Sequence, residues 1–257
     1  MATTDNGAAG HNGDAHHGPL DQFAINRYVE IDLGGFDASF TNSALMMCVT
    51  VIVITLLTTV GMGRGRLVPG RMQSIVEMSY EMIARMLGDI VGGRGAQKFF
   101  PFVFSLFMFL LLGNVLGLIP YSFTFTSHII VTLAFALVVF VGVTILAIVI
   151  HKHRFLTFFL PPGVPMWMAP LLVPIEVVSY MARPISLSVR LFANMMAGHS
   201  ILHVFGAFVF VLSFAGVLPF AFIVALYGLE LLVAVLQAYV FTILTCLYIR
   251  DAIELHH

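Results

Sequence analysis

Residues 167–250 read WMAPLLVPIEVVSYMARPISLSVRLFANMMAGHSILHVFGAFVFVLSFAGVLPFAFIVALYGLELLVAVLQAYVFTILTCLYIR. They form two apolar stretches of about 40 residues each, divided near Gly206 to Gly216 and marked by Pro219. A helix of that length measures about 60 Å, twice a hydrocarbon core of about 30 Å, so each must tilt steeply or break. Two long tilted helices bring the chain to about five spans, and four short ones in their place to about seven.

The rest of the chain has the same character. Apolar residues make up 60% of 257 and charged residues only 10%, with a mean hydropathy of +1.00. That composition excludes an ordinary water-soluble fold. A net charge of −1 offers no broad basic surface for nucleic acid. Cys48 and Cys246 both lie in apolar runs, so no disulfide or metal framework and no cofactor follows.

Upstream, Phe40 to Val60 (40–60) is a charge-free run long enough to cross once. Residues 1–39 before it, with His11, His16 and His17, have neither an apolar signal core nor an Arg-rich transit pattern and read as a polar tail. In 72–91, Ile75, Met78, Met82, Met86 and Leu87 share a stripe against Glu77, Glu81, Arg85 and Asp89, which suits a helix on the cytoplasmic surface. Residues 99–150 form a hairpin of two spans around a short uncharged turn with Pro120, Tyr121 and His128. Gly113 and Gly117 have the spacing by which membrane helices approach each other. A link through Pro161, Pro162 and Pro165 cannot continue a helix.

The predicted fold class is an all-α integral membrane protein: about five membrane helices plus one amphipathic surface helix, the last two long and strongly tilted. Arg64, Arg66, Arg71, Arg85, Arg94 and Lys98 crowd one loop, and Lys152 and Arg154 another. By the positive-inside rule both loops are cytoplasmic, the amino terminus is outside, and 251–257 is cytoplasmic.

Between Arg154 and Arg250 only Glu176, Arg183, Arg190 and Glu230 carry formal charge. A charge at bilayer depth costs on the order of 3 kcal/mol, so it marks a path, a relay or a partner. Arg183 reads as a group that snorkels toward the interface. At 100° per residue Glu176, Arg183 and Arg190 share one face, with Ser186 and Asn194 a turn either side of Arg190. His199 points the opposite way, about 13 Å further along. If the last two helices run antiparallel, Arg190 is level with Gln237, His199 with Glu230, and Glu176 with Asp251. Polar clusters then lie on both sides of the arginine. This is the layout of two offset aqueous half-channels divided by a guanidinium that cannot itself pass a proton on. His199 and His203 could form a metal pair, but the sequence offers no third ligand beyond Glu230.

The run Arg183 to His199, RPISLSVRLFANMMAGH, resembles the signature of the F-type ATP synthase subunit a family. The likeness extends to Glu230 with Gln237-Ala-Tyr-Val-Phe, to Glu176 fourteen residues before Arg190, and more loosely to Gly113-Asn114 through Pro120. It covers roughly residues 40–250. The resemblance implies that Arg190 is the essential arginine, facing a ring of c subunits that each carry a buried carboxylate. It implies that Asn194 and Gln237 are its polar neighbours, that His199 and Glu230 line the outer half-channel, and that Glu176 and Ser186 belong to the inner one. Many bacterial members carry an acid at His199 and a histidine at Glu230; here the two are exchanged, as in mitochondrial-type members.

The family resemblance further implies a single copy in a hetero-oligomeric complex with b-type peripheral stalk subunits, in a bacterial inner membrane. Protons are the default ion. No G-x-x-x-x-G-K-[ST] sequence occurs in the chain, so nucleotide chemistry is expected on other subunits. Two other readings compete. A stand-alone ion-coupled transporter should show internal repeats and paired broken helices, and no repeat is evident. A membrane-embedded enzyme should show a denser set of acids than the spans contain.

Overall fold

The computed structural model describes residues 27–29, 32–33, 36–37, 40–62, 70–119, 122–152, 166–212 and 216–253. The part of the expected tail that holds His11, His16 and His17, the turn residues Pro120 and Tyr121, the prolines 161, 162 and 165, and Arg64, Arg66 and Arg154 lie outside the described residues.

Among the described residues, six α-helices follow two small antiparallel ladders. Strands β1 (Arg27–Val29) and β4 (Phe40–Thr41) pair with each other, as do β2 (Asp32–Leu33) and β3 (Phe36–Asp37). Nothing in the sequence reading anticipated these strands; β1 to β3 fall within the stretch read as a tail and β4 at the start of the stretch read as the first span. The helices are α1 (Asn42–Met62), α2 (Arg71–Ile90), α3 (Gly93–Gly117), α4 (Ile129–His151), α5 (Ala169–Leu212) and α6 (Val217–Ile253). Among the described residues all but α2 are long and apolar enough to cross a membrane, which makes five spans and not seven.

Helices α5 and α6, with 44 and 37 residues, run to about 66 and 56 Å, so neither can stand upright in a slab of about 30 Å. Their outward residues, such as Ile185, Val189, Leu232 and Leu236, are exposed apolar groups of the kind lipid or a membrane partner covers. Along α1 the hydroxyls of Thr50, Thr55, Thr58 and Thr59 each donate to a carbonyl one turn back, which satisfies them where water is scarce.

The core lies where α3, α4, α5 and α6 meet, with Phe107, Val139, Leu187, Leu191 and Phe241 among its buried members. One face of α6 makes this possible. Ala234, Ala238, Thr242, Thr245 and Cys246 are fully buried and small, so α3 and α5 approach the α6 backbone closely.

Two expectations need correction. On α2 the buried line is Val76, Ile83, Met86 and Leu87, whereas Ile75, Met78 and Met82 of the expected stripe are exposed. The apolar arc of α2 is wider than the stripe, and packing against α1 and α3 takes only one side of it. Gly113 and Gly117 do not mediate helix approach; they receive the α3–α4 loop. A Cβ on Gly113 would lie 2.5 Å from Phe125 Cζ, and one on Gly117 would lie 2.8 Å from Thr124 Cγ2. The connection is therefore no plain turn but a loop folded inward, with Phe125 to Ser127 buried in a 3-10 turn.

Candidate functional site

Arg190 stands at the middle of α5, between Leu187 and Leu191, which are buried. Its own side chain is exposed, as are Ser186, Val189 and Asn194 on the same face. Arg190 thus points away from the bundle, and among the described residues it forms no hydrogen bond or ion pair. Asn194, one turn on, donates from Nδ2 to Gln237 Oε1 at 2.9 Å, while Gln237 is itself buried. Sequence reasoning set Gln237 level with Arg190; its hydrogen-bond partner is Asn194.

The opposite face of α5 carries His199. Its Nε2 lies 3.7 Å from Glu230 Oε1, with side-chain exposures of only 12% and 5%. Gly198 makes room for this: a Cβ there would sit 2.6 Å from Glu230 Oε1. Neither Glu230 oxygen accepts a hydrogen bond from a described residue. His199 Nε2 also lies 2.9 Å from Thr124 Oγ1, which brings the inward α3–α4 loop into the cluster. His203, a turn further along α5, is exposed.

Around this cluster the loop is polar yet buried. Thr126 and Ser127 are buried with hydroxyls that have no partner among the described residues, as has the Nε2 of His128. His128 stacks on Phe123 with 5.1 Å between ring centroids, and burial pushes its imidazole below its ordinary range, toward the neutral form. Asn114, fully buried on α3, donates to the Ala234 carbonyl at 3.3 Å, and its own Oδ1 has no partner among the described residues. Ser188, on the buried side of α5, likewise has no hydrogen-bond partner among the described residues, whereas Ser186 is exposed.

The Asp251 end of the α5–α6 pair is built otherwise. Arg183 NH1 donates to Asp251 Oδ2 at 3.2 Å, and the guanidinium carbon lies 5.7 Å from the Tyr180 ring centroid and 5.4 Å from that of Tyr248. Tyr180 and Thr144 share a 2.7 Å hydrogen bond, and His151 Nε2 lies 2.9 Å from the Ala252 carbonyl, so α4, α5 and α6 are tied together. Sequence reasoning set Asp251 level with Glu176 and let Arg183 snorkel. Asp251 pairs with Arg183 instead, and the half-buried Glu176 has no ion partner among the described residues. The antiparallel register that set these residues level assumes straight helices, and this half of α5 contains Pro174 and Pro184, each of which removes a main-chain hydrogen bond.

Sequence reasoning missed Thr124, Ser188 and Gly198 as members of the polar layer. Only the glycine spacing on α3 hinted at the loop, and it was read as helix packing.

Fold and site together define a multi-pass helical membrane protein in which Arg190 faces outward with no ion partner among the described residues and a buried His–Glu pair lies behind it. A family model described as ATP synthase A chain matches residues 44–250. The chain is 55% identical over 246 residues to ATP synthase subunit a of Parvibaculum lavamentivorans, covering 93% of this chain and 94% of that protein. It is 51% identical over 241 residues to ATP synthase subunit a of Rhodospirillum rubrum (93% and 100%) and 54% over 246 residues to that of Mesorhizobium japonicum (93% and 97%). The chain belongs to the ATP synthase A chain family, and so is a membrane component of the Fo sector.

Proposed function

We propose that this chain is the proton-conducting stator subunit of an F-type ATP synthase, in which Arg190 separates two offset half-channels that open onto a ring of c subunits. The observation that carries this is the position of Arg190, exposed at the middle of a 44-residue apolar helix with no counter-charge among the described residues. A guanidinium turned toward hydrocarbon is expensive, so its partner is an acid on another membrane chain. A carboxylate on each c subunit supplies one.

In this mechanism a proton enters by the path lined by His199 and Glu230 and neutralises a ring carboxylate. That carboxylate then travels through lipid for almost a full turn. On reaching the second path, with Glu176 and Ser186, Arg190 favours its ionised form and the proton leaves. Asn194 and Gln237 hold the polar layer beside the arginine. Arginine suits the divider because it stays protonated at any ordinary pH and so cannot relay the proton itself. Each proton crossing 100 mV releases about 2.3 kcal/mol, so several crossings are pooled for one ATP, made on other subunits. The chain sits once per complex in a bacterial inner membrane, amino terminus outside and carboxyl terminus cytoplasmic, beside b-type stalk subunits.

The test is Arg190→Ala in the whole complex. Proton-driven ATP synthesis in inverted membrane vesicles should fall to the level of uncoupled membranes while the ring still co-purifies. Normal synthesis by that variant removes the assignment. The transporter reading predicts instead that the purified chain moves ions by itself in liposomes.

A further inference from the structure

Thr124 sits between a carbonyl that can only accept a hydrogen bond and a ring nitrogen that can donate or accept one. Its Oγ1 lies 2.9 Å from the Gly117 carbonyl and 2.9 Å from His199 Nε2, and the residue is buried. A carbonyl oxygen only accepts, and a threonine hydroxyl has one hydrogen to donate. With that hydrogen on Gly117 O, the contact to His199 requires the imidazole to donate, so Nε2 carries a proton. In the reverse arrangement the hydroxyl and carbonyl oxygens would face each other at 2.9 Å with no hydrogen between them.

The position of Thr124 is itself constrained. Gly117 closes α3, so its carbonyl belongs to the last turn, where no further helical residue is available to bond it. The missing side chain at Gly117 admits the threonine, since a Cβ there would lie 2.9 Å from Oγ1. Phe125, wedged against Gly113, fixes the next residue of the loop. Among the described residues, the ionisable groups about the His199 ring include Glu230 on α6 and His203 on α5, and the α3–α4 loop presents the Thr124 hydroxyl.

From this geometry we infer that Thr124 is a positioning residue of the proton path, holding His199 in the Nε2–H tautomer with that N–H between the Thr124 hydroxyl and Glu230. Nδ1 is then the basic nitrogen of the neutral ring. A neutral histidine can settle in either tautomer, and the second ring contact decides which. This inference rests on the stator reading in one respect only, that His199 belongs to the path.

The experiment compares Thr124→Val, which keeps the shape and loses the hydroxyl, with Thr124→Ser, which keeps the hydroxyl and loses the methyl. Both are assayed in the assembled complex for proton-driven ATP synthesis at equal subunit content, alongside His199→Gln. The ring nitrogens are read by 15N solid-state NMR of the histidine-labelled complex, with the His199 signal assigned by its loss in His199→Gln. Thr124→Val should lower synthesis about five-fold, the scale of one buried hydrogen bond, and Thr124→Ser should restore most of it. The unmodified complex should show His199 protonated at Nε2, and Thr124→Val should show a mixture of tautomers.

A native ring protonated only at Nδ1 overturns the inference, and it does so even if the valine variant fails to assemble. So does a serine variant as slow as the valine one, which would assign the effect to packing. If His199→Gln synthesises ATP at the normal rate, the stator reading of His199 fails, whatever the tautomer proves to be.

Discussion

Arg183 and Asp251, at one end of the α5–α6 pair, are about a third exposed, bonded to each other and flanked by two tyrosine rings. Glu230, in the half that carries His199, is 5% exposed, yet neither of its oxygens accepts a hydrogen bond from a described residue. The better-solvated charges are the paired ones, and the deeper carboxylate is the one left open. Had stability alone shaped both clusters the order would be reversed, because an unpaired polar atom costs most where it is most buried. The first cluster behaves as a latch that ties α4, α5 and α6. In the proposed function the second leaves polar atoms open to a mobile proton, at the expense of packing.

The sharpest way to break this comparison is to remove charge from the open cluster. Glu230→Leu and His199→Leu should each lower proton-driven ATP synthesis about ten-fold, or about 1.4 kcal/mol on the barrier, while the complex still assembles. The exchange His199→Glu with Glu230→His keeps both groups at one level and should retain more synthesis than either half alone. Equal failure of the double and the worse single variant would mean that adjacency of the two groups is irrelevant.

A smaller effect is expected from geometry. Gly198→Ala places a methyl where Glu230 Oε1 now lies, so the carboxylate must swing away from His199. Synthesis should fall by about three-fold, under 1 kcal/mol, with ring binding unchanged. Normal rates from this variant would show that the 3.7 Å spacing has no part in the path.

The smallest effect belongs to the latch. Arg183→Gln or Asp251→Asn should cost about 1 kcal/mol or less in thermal stability, since a pair this exposed is screened, and should leave the rate of synthesis close to normal. The double variant should lose less than the two singles combined. If either single variant abolished synthesis without lowering the melting temperature, the latch would have to be counted in the path.

Much of this contrast was legible before any coordinates. Charge-free runs of the right length marked the spans, because lipid penalises every exposed polar group and a helix is the way to satisfy the backbone within one segment. Helical periodicity put Arg190 and His199 on opposite sides of α5, and the antiparallel register set His199 beside Glu230. The same register said nothing of a partner for Asp251: it set that residue level with Glu176, another acid, and the structure pairs it with Arg183, seven residues further along α5. On α2 the periodicity identified an amphipathic helix but not which part of its apolar arc other helices would take.

What the amino-acid order determined alone was where the apolar runs fall and the few polar groups they carry into lipid, since both depend on local composition; that the last two runs are two long helices and not four short ones came from the structure. The inward fold of the α3–α4 loop, the meeting of Thr124 with His199, and the outward turn of Arg190 away from every described acid were decided only by the tertiary structure. They depend on contacts between residues far apart in the chain, made possible by Gly113, Gly117 and Gly198, and no local pattern records which distant side chain will fill the space a glycine leaves.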